Sequence, residues 1–91
     1  MKRVRYEIRW VGDRSGFIAK LDGGVDALCV AAEIARQLPE GFGAPVDLSV
    51  KNSIRIPRTV LTHRIQDAER VLQSAIEQCL NDKIVGVVEV L

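Results

Sequence analysis

Residues 3–22 read RVRYEIRWVGDRSGFIAKLD. Val4, Tyr6, Ile8 and Trp10 alternate with Arg3, Arg5, Glu7 and Arg9. A period of two is what a strand with one buried face requires, because successive side chains leave opposite sides of the backbone. Residues 12–16, GDRSG, are turn formers, and the run Phe17–Leu21 follows them. Folding the chain back so that Val11 faces Gly16 sets Trp10 against Phe17, Ile8 against Ala19 and Tyr6 against Leu21. The same register sets Glu7 against Lys20 and Arg5 against Asp22 on the other side. Apolar pairs on one face and opposite charges on the other each favour an antiparallel pair by about 0.2–1 kcal/mol. A slip of one residue would lose both patterns. The stretch therefore predicts a β-hairpin.

Working outward, Gly23 and Gly24 allow a change of direction, and Asp22 is the expected cap of a helix over 25–38. Asp26 falls in the first turn of that helix, where a negative charge is favoured. Its inward stripe reads Leu28, Ala31, Ala32, Ala35 and Leu38, with Val25 and Cys29 beside it, and Val30 falls on the polar side. Pro39 ends the helix, and residues 39–45, PEGFGAP, form a connecting loop. Its glycines are not a phosphate-binding loop, which needs a strand before it, a helix after it and a terminal lysine with Ser or Thr. Val46, Leu48 and Val50 alternate with polar residues as a strand does. Residues 51–53, KNS, are read as a three-residue hairpin loop leading to Ile54 and Ile56; a single strand bent at Asn52 is the alternative. From Pro57 or Thr59 a long helix is expected, with residues 58–63 able to stay extended. Its apolar face is Leu61, Ile65, Ala68, Leu72, Ala75, Ile76 and Cys79. Asn81 stops it. The final run, residues 84–91, is apolar on both parities, which predicts a central or intersubunit strand.

The order β-β-α-β-(β)-α-β predicts one α+β domain over residues 1–91, a two-layer sandwich with two helices on one face of the sheet. Omitting the second strand leaves the order of a ferredoxin-like fold, the closest known architecture.

Ninety-one residues with 47% hydrophobic content and a formal charge of +1 suit one small globular core. They leave little room for a deep cleft. No run of 18 apolar residues predicts a membrane span, and no basic flank with an apolar region and cleavage site predicts a leader. Cys29 and Cys79 both fall on apolar stripes, so two buried free thiols and a reducing, cytoplasmic setting are expected; a disulfide between them is the alternative.

Catalytic patterns are not visible. His63 is the single histidine, and no neighbour at helical or strand spacing would make it a general base. It reads as a surface or capping residue. Two cysteines fifty residues apart and one histidine lack the ligand spacing of a zinc site, so neither metal nor cofactor is expected. The expectation is a protein that is not an enzyme.

Residues 13–21, DRSGFIAKL, resemble the opening of ACT regulatory domains, in which an aspartate-arginine-x-glycine turn runs into the first helix. That resemblance implies a small-ligand loop at Asp13, Arg14, Ser15 and Gly16. It covers about ten residues of the 91. It stops at residues 22–24, DGG, which would fall inside that helix, and the hairpin register demands a strand instead.

Charge is segregated along the chain. Residues 1–22 hold six Lys or Arg against three acids, and residues 51–64 hold four Lys or Arg and no acid. Residues 23–50 and 65–91 are each net −3. If the basic segments neighbour one another, Arg3, Arg5, Arg9, Arg55 and Arg58 make one positive sheet face able to meet phosphates. Solvated charges that discourage edge pairing are the plainer account of the same residues. Two functions are carried forward, with a small-ligand sensor near Gly12–Phe17, which the resemblance to ACT domains implies, as a third. One is a self-associating interaction or regulatory module, a homo-oligomer with a dimer favoured. The other is a nucleic-acid-associated protein that uses the basic face.

Overall fold

The computed structural model describes residues 2–22, 25–38, 52–80 and 86–90. Its elements are β1 (Lys2–Trp10), β2 (Gly16–Asp22), α1 (Ala27–Gln37), β3 (Ser53–Pro57), α2 (Ile65–Leu80) and β4 (Gly86–Val90). The fold is α+β. Strands β1, β2 and β3 are antiparallel neighbours, β4 lies parallel to β1, and the order is β3-β2-β1-β4.

The hairpin has the register that its parity dictates. Trp10 pairs with Phe17, Ile8 with Ala19, Tyr6 with Leu21, Glu7 with Lys20 and Arg5 with Asp22. The turn is closed by the Val11 N–H to the Gly16 carbonyl (2.9 Å) and the Arg14 N–H to the Val11 carbonyl (2.8 Å). Arg14 takes a left-handed conformation, φ 58°, which costs a residue with a Cβ about 1 kcal/mol. The Asp13 carboxylate steadies it by accepting the Ser15 N–H at 3.0 Å and the Ser15 hydroxyl at 2.6 Å. A Cβ on Gly16 would collide with the Ile56 carbonyl oxygen and lie 3.1 Å from the Pro57 Cα, so only glycine lets β2 and β3 close here. The residues after the turn are extended, not helical, which breaks the likeness to ACT domains.

Across the sheet, Phe17 meets Ile56 and Ala19 meets Ile54. This inner row is buried together with Val4, Tyr6 and Leu21 and with residues of both helices in one cluster. Tyr6 ties the sheet to α2: its hydroxyl donates to Glu69 at 2.5 Å and accepts from Gln73 at 2.9 Å. Burial, and then the bond to Glu69, push the phenol up to about 12.

Several expectations are corrected. Asp26, not Asp22, caps α1, accepting the Leu28 N–H at 2.9 Å. The helix is also rotated from the expected phase. Val30, Ala31, Ile34 and Leu38 are buried, whereas Leu28 is 62% exposed and Ala32 and Ala35 face out. Two apolar stripes compete on this helix, and turning Val30 and Ile34 inward removes more apolar surface from water than turning two alanines.

The second helix begins later than expected, at Ile65. Thr59 and Thr62 hold the preceding segment in a turn, because hydroxyls three residues apart offer the backbone partners that compete with a helix. Leu61 is therefore outside the helix and half exposed. The face formed by Ala68, Leu72, Ala75 and Ile76 is buried as expected, and Leu80 joins it.

Cys29 and Cys79 are not free thiols. They form a disulfide between α1 and α2, with Cα atoms 6.0 Å apart, inside the ordinary span for such a bond. Both sit at the margins of the buried stripes, where the helices meet. The argument for a reducing compartment from free thiols falls with this bond. Asn52 has φ 62°, as a hairpin loop needs, but the partner strand at 46–50 lies outside the described residues, as do the loop 39–45 and the stop at Asn81. The C-terminal strand is not central among the described strands, since β4 ends the order beside β1. No helix among the described residues is long and apolar enough to cross a membrane.

Candidate nucleic-acid interface

The basic segments share the outer face in part, through Arg5 and Arg9 of the first and Arg55 of the second. Strand parity sends Arg5, Glu7 and Arg9 to the side opposite Tyr6, and Ile18, Lys20 and Arg55 to the same side. The register aligns Arg9 with Ile18 and Ile18 with Arg55. An exposed arginine therefore stands on either side of a half-buried isoleucine. Nearer the other end of this face, Glu7 lies beside Lys20 and Arg5 beside Asp22, so charge there alternates. Arg9 and Arg55 lie at the end of the sheet that carries the β1–β2 turn, with the Asp13 carboxylate reaching Arg55 through Ser15. Arg3 lies in β1 opposite Val87 of β4, away from that end.

Arg58 does not join the outer face, which corrects the expectation of one five-arginine surface. It follows the end of β3, where its N–H bonds the Ser15 carbonyl at 2.9 Å. Its guanidinium lies 5.3 Å from the Trp10 ring centroid, on the inner-row side. Arg14 places its guanidinium at the same distance from the same ring. Trp10 packs in turn on Phe17, with centroids 4.4 Å apart. Each cation–π contact is worth about 0.5–1 kcal/mol at an exposed site. Their larger effect is to hold two long side chains extended, so less rotamer freedom is lost when a ligand binds.

The turn braces a third arginine. The Ser15 hydroxyl accepts from Arg55 at 2.6 Å while donating to Asp13 at 2.6 Å. The hydroxyl and backbone N–H of Ser15 hold the Asp13 carboxyl below its ordinary range, so Asp13 is an anion that orients its neighbours. The four residues of the expected ligand loop are thus placed as a self-satisfied turn. Asp13 and Ser15 bond each other, Gly16 lies against β3, and Arg14 points to Trp10.

Concavity lies next to that turn. An open groove of about 510 Å³ is lined by Arg58, Thr59, Val60 and His63. Arg58 Nη2 lies 3.2 Å from His63 Nδ1 along this groove. The groove so sets a cation and an imidazole beside the aliphatic Val60. Among the described residues no group of three or more His, Cys, Asp or Glu could hold a metal ion.

Sequence reasoning found Arg9 and Arg55 through parity. It missed the stacking of Arg14 and Arg58 on Trp10, and the loop that exposes Val60 and Leu61. The spacing of Thr59 and Thr62 was the available signal for that loop. No protein-family model, curated protein or solved structure matches this chain.

Proposed function

We propose that this chain is a small non-enzymatic α+β module that binds nucleic acid through the arginines at the turn end of its sheet. The observation that carries the reading is the row Arg9–Ile18–Arg55, continued around the same end by Arg14 and Arg58. Guanidiniums held in place by Ser15 and Trp10 suit phosphate oxygens, which they meet as planar forks. Stacking of single-stranded bases has less support, because the Trp10 ring already carries two guanidiniums.

Four phosphate contacts predict a slope of about −3.6 in log K against log salt for duplex DNA. Affinity for a labelled duplex, read by fluorescence anisotropy, should weaken by about 100-fold between about 50 and 200 mM salt. Absence of binding at low salt, or binding indifferent to salt, would refute the reading.

One observation favours a second reading, self-association. Strand β4 stands at the end of the described order, and its sequence GVVEV has strong strand propensity. Pairing of two such edges about a two-fold axis would extend the sheet. Sedimentation equilibrium at tens of micromolar should then give twice the mass of the chain; a monomer removes this reading.

A further inference from the structure

We infer that Val60 and Leu61 form an apolar wedge that enters between base pairs of a bound duplex and kinks it. This inference rests on the nucleic-acid reading above and specifies how the duplex is held.

Singly exposed aliphatic residues need no explanation, but these two are adjacent, 88% and 50% exposed, on a loop built to keep them out. Thr62 is fully buried beneath them. Its hydroxyl donates to the Pro57 carbonyl at 2.5 Å and accepts the Thr59 N–H at 2.9 Å. The Thr59 hydroxyl lies 3.1 Å from it and accepts the Leu61 N–H at 3.0 Å. A loop with that many internal bonds does not fold its tip back onto the core. Hydrophobic side chains held in water by a rigid loop are placed for something that will cover them.

The flanks say what that is. Arg58 precedes the pair and meets Arg14 over Trp10, and Arg64 follows it, largely exposed although its Nε lies 3.4 Å from the Asp67 carboxylate. Cations on both sides of an aliphatic tip match phosphates on both sides of a groove whose base steps can be opened. Inserted aliphatic residues unstack a step and bend DNA by about 20–90°. A bilayer would accept the same charges. However, two short aliphatic side chains bury far fewer methylenes than a myristoyl chain, which alone gives only marginal membrane binding.

The test uses the full chain and a duplex of about 20 base pairs carrying a fluorophore at each end, read for anisotropy and for energy transfer in the same titration. The wild-type chain should raise both signals. The Val60→Ala/Leu61→Ala variant, whose altered residues face solvent and whose circular dichroism should be unchanged, should bind within about tenfold of wild type and lose the rise in energy transfer. Binding by wild type without any such rise would overturn the wedge and leave the arginine interface standing. An equal rise with the variant would do the same. No binding at all would overturn both readings. Sedimentation with phosphatidylserine vesicles that depends on Val60 and Leu61, without duplex bending, would assign the tip to lipid and overturn the wedge.

Discussion

Replacing both cysteines, Cys29→Ser/Cys79→Ser, should lower stability by about 4 kcal/mol and the midpoint of thermal unfolding by on the order of 20 °C. The bond joins α1 to α2 across a sequence separation of 50 residues, so in the chain-entropy account it removes a large loop from the unfolded ensemble. A core built from a chain this short buries a smaller share of its surface than a larger one and depends correspondingly more on such a tie. Both residues are changed together because one alone leaves a free thiol. Thermal melts by circular dichroism of the untreated and doubly substituted chains make the comparison. A drop of less than about 5 °C would mean that the helices meet without needing the bond. Two reactive thiols in the untreated folded chain would mean that the bond does not form.

The phase of α1 gives the second large effect. Ile34→Ala should cost about 2–5 kcal/mol, because Ile34 is fully buried. Leu28→Ala should change stability by no more than about 0.5 kcal/mol, because that side chain is mostly in water. Urea unfolding of the two variants beside the parent chain separates them. The reverse ranking would restore the stripe read from spacing alone, with Leu28, Ala32 and Ala35 inward.

That contrast shows where the sequence was readable. The hairpin was legible to the residue, because strand parity has only two solutions and both faces of residues 3–22 carried a check, apolar pairs on one and opposite charges on the other. The face of α2 was legible because its apolar and polar sides are cleanly divided. Helix α1 was not, because it is apolar on two sides and only packing against the sheet and α2 decides between them. The disulfide was hidden for a related reason. Two cysteines on separate helices meet only if both helices turn their margins toward each other, and that depends on the phase of α1.

At the interface, parity placed Arg9 and Arg55 together, since both lie within regular strands. Arg58 was assigned to that face from the run of basic residues over 51–64, not from parity: it shares the parity of the buried Ile54 and Ile56, and its guanidinium lies on their side, over Trp10. Trp10 was read as core from its parity, yet at the end of its strand it is only half-buried and carries Arg14 and Arg58. Strand ends are where periodic patterns stop constraining side chains, and the arginines of the interface gather around that end.

The central claim is that Arg9 and Arg55, on either side of Ile18, contact phosphates. The measurement that addresses it is the salt dependence of duplex affinity for the wild-type chain and for Arg9→Ala/Arg55→Ala, with the fold of each checked by circular dichroism. Each lost phosphate contact should remove about one unit of slope, so the variant should bind more weakly and its slope should fall from about −3.6 to about −1.8. An unchanged slope and affinity in the folded variant would contradict the claim.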